Sequence, residues 1–575
     1  MISGKPIYKN NIIVLTICIM PAALGFLYVY LCGANVAFWD QFDATVPLFG
    51  KLWSGALTFT DIWARHNEHI IFFPRLLMLA IGGLTRYNTL AEMYATEILL
   101  CVSCLVFLLA AKKQFGFRLS AVPLWMAPIS LMTFSLVQKE NMLWGFQIAF
   151  VLAQTAAVVA CFFLYLLSET SRTKNRLVFF FLAAVFASIS SFSSSMGICV
   201  WIAGCSQLIV SSLDKINKTK YLSAFSIIGG IHWFVFSHHY KTPGYHPSPL
   251  YFLHHPFRFI EYIIACHGGA LISKKWICIM IGVFIAGMML LAVIALYKNK
   301  RVACNSFWLS IIVFSLLSVV SIAIGRAGFG VGQALSSRYA TFSLLLVIGI
   351  YSILIDLRQS GKSEFKVPFV GFFEIIIFAG IAFSNVSSFL YGLNARREAE
   401  ENAFILYTYP SQPDDFLKRL YPDSDSLKIY AGILKKIGFN VFSSNSLPRK
   451  YPEMSSLPEG PAIAGINLGV TNVKTVNTGG DAFVVITGYA YAENTRNAIG
   501  GVYLDVDGKI FPAYYGALGN KDRPYFSIQQ LPRPNFNRAI PQRLLGKGDH
   551  ILSVKMLSGD RKYFRAVAGK FRFVL

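Results

Sequence analysis

Ile70-Ile71-Phe72-Phe73-Pro74-Arg75-Leu76-Leu77-Met78-Leu79-Ala80-Ile81-Gly82-Gly83-Leu84 is the stretch on which the layout of the chain turns. It is apolar, yet shorter than the roughly 20 residues a helix needs to cross bilayer hydrocarbon. If it crossed, every later loop would change sides, and Lys112 and Lys113 would face away from Lys5 and Lys9. The charges elsewhere decide the matter.

Hydrophobic residues make up 55% of the 575 residues and charged residues only 14%. Mean hydropathy is +0.53. Such a composition excludes an ordinary soluble enzyme and indicates a polytopic membrane protein over residues 1–390. Apolar segments of spanning or near-spanning length run at 12–32, 91–111, 119–136, 145–167, 177–190, 196–213, 221–237, 276–297, 305–325, 338–356 and 367–388. About 11 transmembrane helices are therefore expected. The pair at 177–213 is interrupted by Ser190-Ser191-Phe192-Ser193-Ser194-Ser195.

With residues 70–84 read as an interfacial or re-entrant helix, alternate short loops carry 17 of the 28 Lys and Arg residues before residue 389. The same loops hold four acids, Glu169, Asp214, Asp356 and Glu364. By the positive-inside rule the N-terminus is cytoplasmic and the C-terminal part lies outside. Residues 1–37 are read as a retained first span, because no small-x-small cleavage site follows the apolar run. All ten cysteines precede residue 305, so no disulfide scaffold supports the C-terminal part. The net charge of +23 is divided between both sides of the membrane, which argues for anionic lipid and against nucleic acid as the partner.

After residue 390 the pattern changes. Residues 391–460 read as a juxtamembrane helical connector, with an amphipathic helix over Leu427–Ile437. From 461 to 575 the period is two. Ala482–Tyr491, His550–Lys555 and Lys570–Leu575 alternate, and Gly501–Phe511 reads as a hairpin turning at Asp507-Gly508. A small β-sandwich is expected there.

Chemistry-bearing residues gather in the expected outer loops. Asp40 and Asp43 follow the first span. A carboxylate in reach of a glycosyl acceptor hydroxyl takes its proton as the new bond forms; the alternative is a solvated acid pair beside interfacial Trp39. Then comes Arg65-His66-Asn67-Glu68-His69 with Arg75. On a helix His66 and His69 would share a face. Arg65, Arg75 and the two imidazoles suit a lipid phosphate at headgroup depth; interfacial anchoring and a metal site are the alternatives, the latter short of ligands.

Gln138-Lys139-Glu140-Asn141 with Trp144 forms a short second loop that suits sugar hydroxyls. It equally suits a helix cap beside an aromatic belt. The glycine-rich run Gly325–Tyr339 carries Arg326 and Arg338 on the outer side, where a phosphate would explain them; lipid headgroups are the alternative. It lacks the Gly-Lys-Ser/Thr ending of a nucleotide loop. Histidines 238, 239, 246, 254, 255 and 267 cluster irregularly near Lys241, more as an acceptor-facing loop than as a metal or pH-sensing site.

Together these features resemble the GT-C superfamily of membrane glycosyltransferases. The resemblance rests on Asp40 and Asp43 in the first outer loop, the interfacial helix there, the outer arginines and the appended C-terminal domain. Within that superfamily the chain looks most like bacterial serotype-conversion glucosyltransferases that modify O-antigen. The resemblance implies a GT-C-like catalytic domain in the inner membrane, a periplasmic C-terminal domain, a polyprenyl-phosphate sugar donor and a polysaccharide or lipid-linked glycan acceptor. It implies catalysis by Asp40 or Asp43, phosphate binding by Arg326, Arg338, Arg75, His66, Arg65 and His69, and sugar or acceptor binding by Glu68, Lys139, Glu140, Trp144 and Lys241. No cofactor is required, with a divalent metal left open. The Asp-Gln-Phe-Asp spacing departs from an adjacent acidic pair and leaves the identity of the base open. A lipid-linked oligosaccharide flippase and an O-antigen polymerase or ligase are the competing readings.

Overall fold

The computed structural model describes residues 7–115, 122–238, 240, 243–244, 246–272, 274–360, 367–443, 466–478, 481–492, 499–516, 535–558, 564–566 and 570–575. Among these, seven helices are long and apolar enough to cross a membrane, the make-up of a multi-pass membrane protein. Of the remaining expected spans, 12–32 lies within the 26-residue helix Ile7–Cys32, and the other three are helical but shorter or more polar. Residues 196–213 become a 3-10 turn, Ser195–Cys199, followed by Val200–Val210. Residues 221–237 lie in Lys215–Ser237. The deciding stretch forms Phe72–Thr85, a helix of 14 residues and about 21 Å, against a hydrocarbon thickness of about 30 Å.

The chain divides into two compact units that do not follow its order. The first comprises Met1–Gly33, Thr58–Ala80 and Leu90–Gly392; the second comprises Ala34–Leu57, Ile81–Thr89 and Leu393–Leu575. The C-terminal division falls inside the helix Val367–Tyr407. The boundary expected at 460 lies outside the described residues.

In the first unit the helix within Ser337–Gln359 is buried along its whole apolar length, whereas little of Thr173–Ser191 and Lys275–Lys298 is buried. Helices apolar all round with one side open are built for a hydrocarbon solvent. Pro256–Gly269 packs backbone to backbone on Lys275–Lys298. A Cβ at Gly268 would stand 1.7 Å from the Cys278 carbonyl oxygen, and one at Gly282 2.0 Å from that of Ile264. Only glycine permits so close an approach.

At the start of Ser306–Arg326, Arg301 makes a two-pronged pair with Asp356, Nε to Oδ2 at 2.6 Å and Nη2 to Oδ1 at 2.7 Å. Asn305 Nδ2 donates to the same carboxylate at 2.8 Å. Gln114 joins the knot, donating to Asn305 Oδ1 at 3.0 Å and accepting from Trp308 Nε1 at 2.8 Å. Asp356 is thus buried with both oxygens bonded, the arrangement a buried charge requires.

The second unit carries an eight-stranded antiparallel sheet. With β1 and β2 given to the hairpin Arg65–His66 and His69–Ile70 of the first unit, its strands are β3 Ile466–Thr478, β4 Asp481–Ala492, β5 Ile499–Val506, β6 Lys509–Gly516, β7 Asn535–Pro541, β8 Asp549–Ser558, β9 Phe564–Ala566 and β10 Phe571–Val574. The order is β10-β8-β5-β6-β7-β4-β3, with β9 added on β8. The expected sandwich of two sheets is instead one sheet curled into a nearly closed barrel. Strand β6 is the reason: residues 509–513 pair with β5, and residues 514–516 pair with β7. The β5–β6 hairpin turns at Asp507-Gly508, both with positive φ, as read from sequence. Alternate residues Val502, Leu504 and Val506, then Leu552, Val554 and Met556, point into one core with Ile486, Phe536 and Ile540. Each such side chain contributes about 1.5–3 kcal/mol on burial.

Asn440 ties the two early segments of this unit to its late one. Its Oδ1 accepts from the Ala37 N–H at 3.2 Å, and its Nδ2 donates to Asn35 Oδ1 at 3.0 Å and to the Tyr87 carbonyl at 2.9 Å. Phe49 packs beside it against Tyr87 and Phe439 at 4.8 and 5.4 Å between centroids. The expected amphipathic helix is Ser424–Ile437, capped by the Asp423 carboxylate and ended by Gly438 at φ +69°.

Candidate functional site

The loop entering β1 is built by its own capping chemistry. Thr58 and Asp61 form a reciprocal capping box at the start of the helical turn Phe59–Trp63. Arg75, buried at the start of Phe72–Thr85, reaches back to the carbonyls of Ile62 (3.1 Å) and Ala64. With those carbonyls held, the chain reverses through Asn67, whose φ of +50° suits asparagine. His66 and His69 consequently oppose each other across the β1–β2 hairpin. They do not share a helix face, which corrects the sequence expectation.

The phosphate-binding set expected from sequence divides at this point. Arg75 and Arg65 hold backbone. Arg65 donates to the carbonyls of Phe236 and His238, and its guanidinium lies over the rings of Phe236 and Tyr240 at 5.2 and 5.7 Å. His66 is buried edge-on to Phe146 at 5.2 Å.

Arg326 and His69 converge on Glu68, at the hairpin tip. Arg326 Nη2 donates to Glu68 Oε1, and His69 Nε2 lies 3.5 Å from that oxygen. His246 completes the cluster. Its Nε2 accepts from Arg326 Nη1 at 2.8 Å, and its Nδ1 faces Glu68 Oε2 at 3.9 Å. Burial alone would raise the Glu68 carboxyl. His69, Arg326, its own backbone N–H and His246 outweigh that and bring its pKa down to about 2. Burial, then Arg326, lowers His246, against a smaller opposing pull from Glu68. A residue expected to touch sugar and one expected to touch phosphate are thus one ion pair.

A second convergence joins two loops read separately from sequence. Ser336 Oγ donates to Glu140 Oε2 at 3.1 Å, and the Glu140 N–H donates to Ser337 Oγ at 3.2 Å. Asn141 Nδ2 donates to the Arg338 carbonyl at 2.9 Å and to Thr341 Oγ1 at 2.6 Å. Lys139 lies over the Tyr391 ring at 5.0 Å, and burial lowers its pKa. The Arg338 guanidinium lies 5.4 Å from the Tyr339 ring centre. Trp144 stands half-buried beside Phe146. Lys241 and His239 lie outside the described residues.

Asp40 and Asp43 belong to the second unit, on the short helix Asp40–Ala44. Their carboxylate oxygens come within 4.8 Å of each other. Trp39, at φ +46°, opens this helix and donates its N–H to the Leu420 carbonyl at 2.9 Å. Tyr421 and Tyr430, which the sequence did not signal, pack against Phe42 at 6.1 and 6.4 Å between ring centres. Burial, then Asp43, Tyr430 and Asp40, raise the Tyr421 phenol, so it remains a hydrogen-bond donor facing two acceptors.

No family model matches the chain, and no solved structure matches it. It is similar to an uncharacterized protein of Archaeoglobus fulgidus, 24% identical over 277 residues that cover 43% of this chain and 69% of the relative.

Proposed function

We propose that the protein is a membrane glycosyltransferase of the GT-C kind, moving a hexose such as glucose from a polyprenyl-phosphate donor to a surface polysaccharide or lipid-linked glycan. The proposed setting is the outer face of a bacterial inner membrane, with the N-terminus cytoplasmic and the C-terminal domain periplasmic. The observation that carries the reading is the convergence of Arg326, His69 and His246, among helices of spanning length, on a site already holding one carboxylate. Cations and N–H groups held around an anion suit a leaving phosphate, where negative charge grows during transfer.

In the proposed reaction the acceptor oxygen bonds to the anomeric carbon as the bond from that carbon to the phosphate oxygen breaks. The electron pair leaves with the polyprenyl phosphate. The hydroxyl proton passes to Asp40 or Asp43, and the pair's spacing lets one carboxylate act while the other orients the acceptor. Arg338, Glu140, Lys139 and Trp144 are assigned to the sugar and its phosphate. Asp40→Asn and Asp43→Asn, made singly and assayed in membranes with lipid-linked sugar, test this. At least one should lower turnover by about 100-fold or more. Full activity in both, with normal insertion, ends the catalytic assignment.

One observation favours the flippase reading. Glu97 is buried in Thr89–Phe115 with neither carboxylate oxygen hydrogen-bonded, and acids inside spanning helices often mark ion or substrate pathways. Consumption of lipid-linked sugar by purified protein in detergent separates the two, because transport has no meaning there.

A further inference from the structure

The Glu68 cluster has a donor geometry larger than its occupant. The Ser195 N–H donates to His69 Nδ1 at 3.1 Å, so the neutral ring carries its proton on Nε2, the atom facing Glu68. Arg326 Nη1 donates to His246 Nε2, so that ring carries its proton on Nδ1, which also faces Glu68. Three N–H groups from three separate segments therefore aim at one carboxylate. Only the Arg326 contact is a hydrogen bond. The imidazoles stand off at 3.5 and 3.9 Å, beyond bonding reach, and Glu68 Oε2 is buried with no hydrogen-bond partner. A planar two-oxygen anion leaves this site underfilled. A tetrahedral phosphate offers an oxygen to each donor.

We infer that Arg326, His69 and His246 form a binding site for a phosphate ester, in which Glu68 is the resident anion and leaves when the phosphate enters. This rests on the donor reading above for the identity of the ester, not for the exchange itself. The exchange conserves charge: one carboxylate departs as a phosphodiester bearing one negative charge arrives. The carrier suits the task, because Glu68 sits at the tip of a two-residue reversal and its side chain is held by Arg326 and its own backbone N–H alone. The carboxylate keeps the guanidinium and both imidazoles oriented while the site is empty of substrate. It also competes with the phosphate for them.

Glu68→Gln, which keeps the shape and removes the charge, tests the exchange. Inorganic phosphate and farnesyl phosphate are titrated calorimetrically into the full-length protein in detergent. The variant should bind at least about tenfold more tightly than the unaltered protein, and Arg326→Ala on the Glu68→Gln background should abolish the gain. A gain for farnesyl phosphate alone assigns the site to a lipid headgroup, and an equal gain for both assigns it to the phosphate group itself. Unchanged or weaker binding of both overturns the proposal. Should Glu68→Gln fail to fold, Glu68→Asp draws the charge back by one methylene. Tighter phosphate binding by that variant supports the exchange, and equal or weaker binding overturns it. None of these readouts needs sugar transfer. A gain in binding by a protein that transfers no sugar leaves the exchange site standing and removes the transferase.

Discussion

The helix Ser306–Arg326 carries an arginine–carboxylate pair at each end, and the two pairs are built differently. At its start, Arg301 grips Asp356 with two prongs, Asn305 bonds the same carboxylate, and Gln114 and Trp308 brace the knot from behind. At its finish, Arg326 bonds one oxygen of Glu68, and two imidazoles lie 3.5 and 3.9 Å from the carboxylate. One carboxylate sits mid-network on a buried helix, the other on a two-residue hairpin turn. A saturated pair fixes helices, whereas an undersaturated one keeps donors in readiness for another anion.

Breaking the first pair should have the largest effect. Asp356→Ala leaves the Arg301 charge without its partner and should cost about 3–5 kcal/mol, read as a lowered melting temperature in detergent. An unchanged melt would show that the saturated pair fixes nothing. Asn440→Ala gives a neutral standard from the other unit. It removes three side-chain hydrogen bonds, two of them buried, and should cost about 2 kcal/mol by the same measurement. Glu68→Gln should cost about 1–3 kcal/mol, less than Asp356→Ala, because the glutamine amide keeps an oxygen for Arg326 while the charge is lost. A loss as large as that of Asp356→Ala would make the two pairs one kind and end the contrast.

Acid provides the finest probe. The Glu68 carboxyl is held below its ordinary 4.5, down to about 2, so its stabilising contribution is complete above 4.5 and disappears as pH falls toward 2. His246, held below its ordinary 6.5, acts in the same direction. Below that value the unfolded chain takes up its proton first, and stability declines as pH falls. Glu68→Gln should remove the lower of these two acid losses from a melting curve followed against pH. Retention of the full acid response would place its origin elsewhere.

The parts of the fold governed by local period were legible in the sequence. The apolar segments, the amphipathic period over Leu427–Ile437 and the Asp507-Gly508 turn each announce themselves within a few residues. The barrel was not legible, because the change of partners along β6 depends on how the sheet curls and has no residue signature. The hairpin at Asn67 was missed for a related reason. Two histidines three apart fit a helix equally well, and the grip of Arg75 on earlier carbonyls decides between the two. Of the site, the arginines and acids stood out individually as charges in unexpected places. Their pairing did not, since Arg326 and Glu68 are 258 residues apart and His246 comes from a third segment. The roles of Arg65 and Arg75 were obscured by the same property that made them candidates: a guanidinium binds a carbonyl as readily as a phosphate.

The Asn440 tie carries a consequence for biosynthesis. Ala37 finds its hydrogen-bond partner 403 residues further along the chain. A ribosome adding roughly 5–20 residues per second needs about 20–80 seconds to deliver it. Throughout that wait the early segment of the second unit has left the translation machinery with its native latch still unsynthesised. The native hydrogen bonds of that loop therefore close only after translation has passed residue 440.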